Sequence, residues 1–143
     1  MQLTTKARYA VTAMLDIAVL EKERKNQPIK LAEIAARQNI ALNYLEQIFA
    51  KLKKAGLVSA VKGPGGGYFI ANGPNSTKIL DIVEAVDESL KMTACSPTST
   101  ICGPEKAKCV THDLWKGLTI SIKDYLGSKT LADILEKNDL SRL

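Results

Sequence analysis

All three cysteines of the chain and its only histidine lie close together in the sequence. They are Cys95, Cys102, Cys109 and His112, with six, six and two residues between successive members. Three thiols and one imidazole make a complete four-ligand set for a thiophilic metal ion or an iron–sulfur cluster. The residues between them are rich in Pro, Gly, Ser and Thr, which predicts a loop over residues 91–112. The sequence therefore predicts that these four side chains bind a metal ion or a cluster.

Other roles for the cysteines fit the sequence less well. Their polar, glycine and proline neighbours argue against three buried small hydrophobes. The odd cysteine count disfavours disulfides, and an N-terminus without the apolar core of a signal peptide predicts a cytoplasmic protein. Structural zinc usually uses cysteine pairs two to four residues apart, which this chain lacks, so the spacing modestly favours a cluster over zinc. Zinc, or free thiols that sense oxidants, are the alternatives.

Positive charge is concentrated in the N-terminal part of the chain. Residues 1–62 carry eleven Lys or Arg and five Asp or Glu, a net charge of +6, whereas residues 63–143 carry nine and ten, a net charge of −1. This asymmetry indicates a nucleic-acid-binding head beside a separate regulatory part, although a merely solvated basic surface is also compatible with it. We predict a DNA-binding head at residues 1–72 and a regulatory and dimerisation part at residues 73–143.

Apolar residues at helical spacing predict a helix-turn-helix within residues 31–54. Helices are expected at residues 4–21, 29–38 and 41–54, with Asn39 in the tight turn before the third. The buried stripe of the third helix is expected to comprise Leu42, Leu45, Ile48, Phe49 and Leu52. Such a motif presents its second helix to the DNA major groove. Its exposed face carries groups that can contact base edges or phosphates, namely Asn43, Tyr44, Glu46, Gln47, Lys51 and Lys54.

Two short apolar segments joined by a glycine-rich tip predict a β-hairpin at residues 57–71. Behind a helix-turn-helix, such a hairpin is a wing. A phosphate-binding loop of a nucleotide enzyme does not fit, because no Gly-Lys-Ser/Thr follows and the glycines lack the dinucleotide spacing. We predict that Lys62 enters the minor groove or holds a phosphate, and that Gly65 and Gly66 also lie at the DNA.

Beyond the wing, three further helices are expected. Ser76 or Thr77 is predicted to cap the first of them, and Thr130 with Asp133 to form a capping box at the last. The middle helix, from residue 112 to about residue 126, carries large apolar residues at three-four-three spacing: Trp115, Leu118, Ile122 and Tyr125. This spacing is typical of a coiled-coil seam. We predict a dimer interface, because helix-turn-helix proteins commonly read two half-sites as dimers, with packing on the chain's own core as the alternative.

Three short motifs and the cysteine stretch together carry a family resemblance. The motifs are Leu3-Thr-x-Lys6-x-Arg8-Tyr9-Ala10-Val11, Tyr44-Leu-Glu-Gln47 and Gly63-Pro-Gly-Gly-Gly-Tyr68. Over nearly its whole length the chain resembles the iron–sulfur cluster regulators of the Rrf-two family of winged-helix transcription factors. The resemblance implies a homodimer that binds a 2Fe–2S cluster through the three cysteines and His112 and regulates cluster-assembly genes. Lys6 and Arg8 of the first motif are added to the predicted DNA contacts.

The chain departs from this family pattern at several positions. It has six residues between successive cysteines where those regulators have five. Ala41 and Asn43 replace serines that flank the start of the recognition helix, and Lys62 replaces an arginine of the wing. Ala41 has no hydroxyl to cap the helix, Asn43 has an amide that can pair with adenine, and lysine is the weaker minor-groove reader. These replacements bear on promoter preference rather than on architecture.

The observations together predict a mainly α-helical protein, with a winged helix-turn-helix head, a small β-hairpin wing and a long C-terminal dimerisation helix. The function expected is transcriptional regulation through a palindromic or near-palindromic site in double-stranded DNA, modulated by a 2Fe–2S cluster. A regulator that binds zinc or senses oxidants through thiols is the main alternative, and an iron–sulfur carrier or redox protein a remote one. No enzyme is expected, because the single histidine leaves no Ser-His-Asp or Cys-His pair, and no apolar run is long enough to span a membrane.

Overall fold

A computed structural model of the chain describes residues 3–86, 88–91 and 109–138. The described residues form the elements α1 (Thr5–Glu23), α2 (Leu31–Gln38), α3 (Leu42–Lys54), β1 (Val58–Val61), β2 (Gly67–Ile70), α4 (Ile79–Ala85), α5 (His112–Gly127) and α6 (Leu131–Lys137). This order, with one two-stranded hairpin behind a helix-turn-helix, confirms the predicted mainly helical winged-helix fold. Within the described ranges, no helix has both the length and the apolar character needed to cross a membrane.

Helix α1 lies at the centre of the core. It begins at Thr4, whose hydroxyl accepts a hydrogen bond from the Ala7 N–H and so caps the helix. Buried alanines on α1 let other elements approach closely, and α1 packs against α2, α3, α4, α6 and β2. Ile82 on α4 and Leu131 on α6 are fully buried in the same apolar cluster as Met14 of α1. Residues beyond position 72 therefore contribute to the core on which the N-terminal helices pack.

The turn between α2 and α3 has the predicted left-handed residue. Asn39 has φ 53° and ψ 48°, a conformation that asparagine tolerates better than most residues. Helix α2 begins later than expected, because Ile29 is not helical but pairs with Tyr68 of β2 through two backbone hydrogen bonds of 2.7 and 2.8 Å. The predicted burial of Leu42 is wrong. Its side chain is 40% exposed, because it occupies the first position of α3 at the edge of the buried stripe.

The wing is an antiparallel hairpin in which Val58 pairs with Ile70 and Val61 with Gly67. Its tip requires glycine at position 66, since a Cβ atom there would lie 2.2 Å from the carbonyl oxygen of Val61. The hairpin is also joined to α1, because the backbone N–H of Ile70 donates to Glu21 Oε2 at 3.2 Å. The predicted hairpin is therefore present, and a carboxylate of α1 helps to fix its base.

The backbone N–H groups at the starts of α4 and α6 find hydrogen-bond partners in different ways. The capping box predicted for α6 is confirmed by the reciprocal hydrogen bonds of Thr130 and Asp133, at 2.9 and 3.3 Å. The predicted cap of α4 is wrong, because α4 follows Lys78 without a side-chain cap and the hydroxyl of Thr77 donates instead to the Gly73 carbonyl. The Ile79 N–H donates to the backbone carbonyl of Lys129 at 2.9 Å, so a neighbouring segment takes the place of a cap.

Candidate nucleic-acid interface

Polar residues predicted to contact DNA follow one side of α3. At about 100° per residue, Asn43, Gln47 and Lys54 lie on the face opposite the buried stripe, and Glu46 lies at the edge of that face. All four are exposed, whereas the side chain of Lys51 is partly buried. The arrangement leaves one helix face with amide, carboxylate and ammonium groups that are available for base edges and phosphates.

The start of α3 contacts the start of α1. Ala41 provides no side-chain cap, and the Tyr44 N–H donates to Asn43 Oδ1 at 3.0 Å, which satisfies one N–H of the first turn. The ring of Tyr44 is partly buried and meets the ring of Tyr9 edge to face, with centroids 6.1 Å apart. Tyr44 therefore contributes to the junction of α1 and α3 as well as to the exposed face.

The other predicted DNA contacts lie at the start of α1 and on the wing. Arg8 is exposed and Lys6 is partly buried in the first turns of α1. Thr4, just before them, donates through both its backbone N–H and its hydroxyl to Glu88 Oε2, which fixes this end of the helix. On the wing, three predicted contacts differ in placement. Lys62 and Gly65 are exposed, whereas Gly66 is buried and its N–H donates to the Gly63 carbonyl at 2.9 Å.

An ion pair between a buried carboxylate and a partly exposed guanidinium joins α1 to the end of α2. The side chain of Asp16 is 0% exposed and accepts hydrogen bonds from the Arg37 guanidinium at 2.8 to 3.1 Å, and from Gln38 Nε2 at 3.0 Å. These bonds raise the pKa of Arg37 above its ordinary value. Sequence reasoning did not assign this group. The signal that could have identified it is Asp16 itself, an acidic residue inside the largely apolar run of residues 10–20.

A second ion pair between α1 and α2 lies at the surface. Arg24, at the C-terminal end of α1, donates to both carboxylate oxygens of Glu33 at 2.5 and 2.8 Å. Hydrogen bonding from Arg24 is the main cause of the lowered pKa of Glu33. Both side chains keep a third or more of their surface exposed, so water screens the interaction and its contribution to stability is small. The two pairs thus differ mainly in the burial of the carboxylate, since the side chains of Arg24 and Arg37 are 42% and 36% exposed.

Two of the four predicted metal ligands lie at the start of α5. The His112 N–H donates to the Cys109 carbonyl at 3.0 Å, which closes a turn that brings the two residues together. The Cys109 Sγ lies 3.3 Å from Thr111 Oγ1, and the same hydroxyl accepts from Trp115 Nε1 at 3.1 Å. Cys95 and Cys102 lie outside the described residues. The residues that are described include no group of three or more candidate metal-ligating side chains.

The donor chemistry at this turn fits an iron–sulfur cluster. Cys109 and His112 are both partly exposed, so a ligand can reach them from one side. Metal binding requires the thiolate form of cysteine and a ring nitrogen of histidine without its proton. With two further thiols in the same stretch, the residues can supply three sulfur donors and one nitrogen donor.

The outer face of α5 is apolar and uncovered. None of its residues is fully buried. Within the predicted seam, Trp115 is 38%, Leu118 41% and Tyr125 63% exposed, while Ile122 is partly buried and packs on the core. Three of the four side chains therefore remain largely free of the chain's own core, which is the placement expected of an interface.

Comparison with known proteins decides the family. The family model described as Rrf2, iron-dependent transcriptional regulator, matches residues 3–137, which is nearly the whole chain. The chain belongs to the Rrf2 family. The expected family and fold are therefore both confirmed.

Named relatives are similar over nearly all of this chain and most of their own length. The transcriptional regulator IscR of Vibrio campbellii is 45% identical over 140 residues, which cover 98% of this chain and 80% of that protein. Among solved structures, T. potens IscR superposes with a TM-score of 0.75 at 36% identity and covers 100% of this chain and 92% of its own. CymR, the global cysteine regulator of B. subtilis, superposes with a TM-score of 0.78 at 28% identity, with coverages of 97% and 99%.

These relatives are transcriptional regulators, and the expectation that the chain is not an enzyme is confirmed. The chain is an IscR-like regulator of the Rrf2 family, and membership in this family of transcription factors implies DNA binding. The individual DNA contacts, the dimer seam and the ligand set remain predictions.

Proposed function

We propose that this Rrf2 protein is a dimeric, sequence-specific regulator whose promoter binding is modulated by a 2Fe–2S cluster and which controls iron–sulfur cluster assembly genes. The ligands would be Cys95, Cys102, Cys109 and His112. One observation carries the proposal. His112 is the first residue of α5 and Cys109 lies three residues before it, and the same helix leaves much of its apolar outer face exposed. The predicted ligand segment therefore runs directly into the helix that carries the predicted dimer seam.

This continuity supports a linkage mechanism. The turn at residues 109–112 leads directly into α5, so ordering of that turn on ligand binding would shift the helix that sets the distance between the two recognition helices. DNA affinity and ligand affinity would then change reciprocally. A bound 2Fe–2S cluster would supply one-electron redox chemistry, and the imidazole of His112 would raise its reduction potential relative to an all-thiolate set.

Anaerobic purification of the full chain tests the cluster. We expect iron and acid-labile sulfide in equal amounts, two of each per chain as a 2Fe–2S cluster requires, with visible absorbance that is lost on exposure to a chelator and air. A colourless protein that contains zinc would support a zinc-binding regulator instead. A colourless protein that contains neither metal would support a thiol sensor.

Substitutions on α3 test the DNA-binding face. We expect Gln47→Ala to lower discrimination at one base position by roughly tenfold or more, because an amide can bond a base edge in two places. Lys54→Ala should weaken specific and non-specific duplexes alike and lower the log–log salt slope by about 0.9, as expected for one lost phosphate contact. Binding to a selected and a shuffled duplex at several salt concentrations separates the two effects. Equal losses on both duplexes for Gln47→Ala would contradict its assignment to base readout.

A charge on the seam of α5 tests the dimer. We expect Leu118→Asp to yield monomers, because an unpaired carboxylate would be buried in the interface. Ile120→Asp is the matched control, since Ile120 is similarly exposed but lies about 200° away around the helix. Sedimentation should show wild type and Ile120→Asp as dimers and Leu118→Asp as a folded monomer by circular dichroism. A monomeric wild type, or dissociation by Ile120→Asp alone, would contradict the assigned seam.

A further inference from the structure

Asp16 is the only charged residue that is buried within the described part of the chain. We propose that Asp16 is a positioning residue for DNA recognition, which holds the end of α2 so that α3 meets the groove in a single orientation. The inference rests on the sequence-specific DNA binding proposed above. Asp16 would act through Arg37 and Gln38 and would not touch DNA itself.

Each oxygen of the Asp16 carboxylate accepts two hydrogen bonds from residues at the end of α2. Oδ1 accepts from Arg37 Nη2 at 2.8 Å and from Nε at 3.1 Å, and Oδ2 accepts from Nε at 2.9 Å and from Gln38 Nε2 at 3.0 Å. Arg37 and Gln38 are the last two residues of α2. A planar guanidinium that is bound by both carboxylate oxygens fixes direction as well as distance. The carboxylate of α1 therefore sets the orientation of the final turn of α2.

A short turn links the end of α2 to the recognition helix α3, so the orientation of α2 affects that of α3. Only three residues separate α2 from α3, and the middle one, Ile40, is buried while its N–H donates to the Ala35 carbonyl at 2.9 Å. Asn39 is held in the left-handed region. A rotation at the end of α2 therefore displaces the first turns of α3, where Asn43 and Gln47 are exposed.

Stability alone is a weak explanation for a buried carboxylate at position 16. Apolar side chains of similar volume are often as stable as an ion pair that contains a buried charge, or more stable, because they avoid the cost of desolvating that charge. Orientation is different, since apolar side chains can slide past one another. Base readout requires side chains in register with the bases, whereas non-specific binding requires only positive charge near phosphates. Loss of the Asp16 contacts should therefore lower specific binding more than non-specific binding.

Two variants of the full chain test this inference. Asp16→Asn keeps the size of the side chain but removes its charge. The double variant Asp16→Leu with Arg37→Met replaces both charges with apolar groups and leaves the net charge of the protein unchanged. The probes are a duplex selected from random sequence by the wild-type chain and a shuffled duplex of the same length. We expect the ratio of their affinities to fall roughly tenfold in both variants, as for the loss of one good base contact.

The double variant separates positioning from stability. A double variant that melts at the wild-type temperature and still has the lowered affinity ratio supports positioning. A wild-type ratio in the double variant, or in folded Asp16→Asn, would overturn the inference, and the double variant decides alone where Asp16→Asn does not fold. Glu33→Gln, in the exposed pair, is the control and should change the ratio by less than about twofold. If the wild-type chain selects no sequence, the proposed function itself fails.

Discussion

Alanine in place of Cys109 is expected to abolish the binding of iron and acid-labile sulfide by anaerobically purified protein. Cys109 would be one of three thiolate ligands, and it lies three residues before the first residue of α5. Thr111→Ala is the matched control. It removes the hydroxyl that lies 3.3 Å from Cys109 Sγ but no ligand, so it should retain wild-type amounts of both. Iron and sulfide per chain are measured in all three proteins.

The fold should survive this change, because Cys109 is outside the apolar cluster that forms the core. Circular dichroism should therefore show the same helix content in Cys109→Ala as in metal-free wild type. DNA binding should persist with an altered choice of site, since the recognition helix is intact. His112→Cys should keep a cluster of lower reduction potential, because a thiolate donates more charge than an imidazole. Equal iron and sulfide in wild type and Cys109→Ala would contradict the ligand assignment.

The elements that sequence alone predicted are those with local signals. The stripe from Leu45 to Leu52 predicts α3 because its residues share one helix face, and glycines predict the wing tip because a Cβ at position 66 would meet backbone. Asn39 and the capping box of Thr130 are likewise fixed by neighbours within three or four residues. In each case the signal lies within the stretch of sequence that forms the element, even where, as for α3, the elements it packs against lie elsewhere in the chain.

The features that sequence did not predict depend on residues far apart in the chain. Asp16 and Arg37 are 21 residues apart, and nothing near either of them specifies the pairing. The predicted side-chain cap of α4 was wrong for the same reason, because the N–H of Ile79 bonds the carbonyl of Lys129, some fifty residues later. The candidate ligand set was found by residue type and spacing, and two of its members, Cys95 and Cys102, lie outside the described residues.

Alanine in place of Arg37 is expected to lower the free energy of unfolding by about 3 kcal/mol, the lower end of the usual cost of breaking a buried pair, because Arg37 is itself 36% exposed. The carboxylate of Asp16 is 0% exposed, and Arg37 provides three of its four hydrogen bonds. Gln38 alone would remain as a partner, and a neutral amide stabilises a carboxylate less than a guanidinium does. The change is measured by urea unfolding at a fixed protein concentration.

Arg24→Ala provides the comparison, because it also removes a guanidinium that joins α1 to α2 through two bonds to one carboxylate. Its partner Glu33 is partly exposed and can be solvated by water once Arg24 is gone, so the loss should be at most about 1 kcal/mol. The difference between the two variants reports mainly on the burial of the carboxylate, since the two arginines are similarly exposed and join the same pair of helices. Similar small losses in both would mean that water enters beside Asp16 when Arg37 is removed, and that the pair does not depend on an enclosed site.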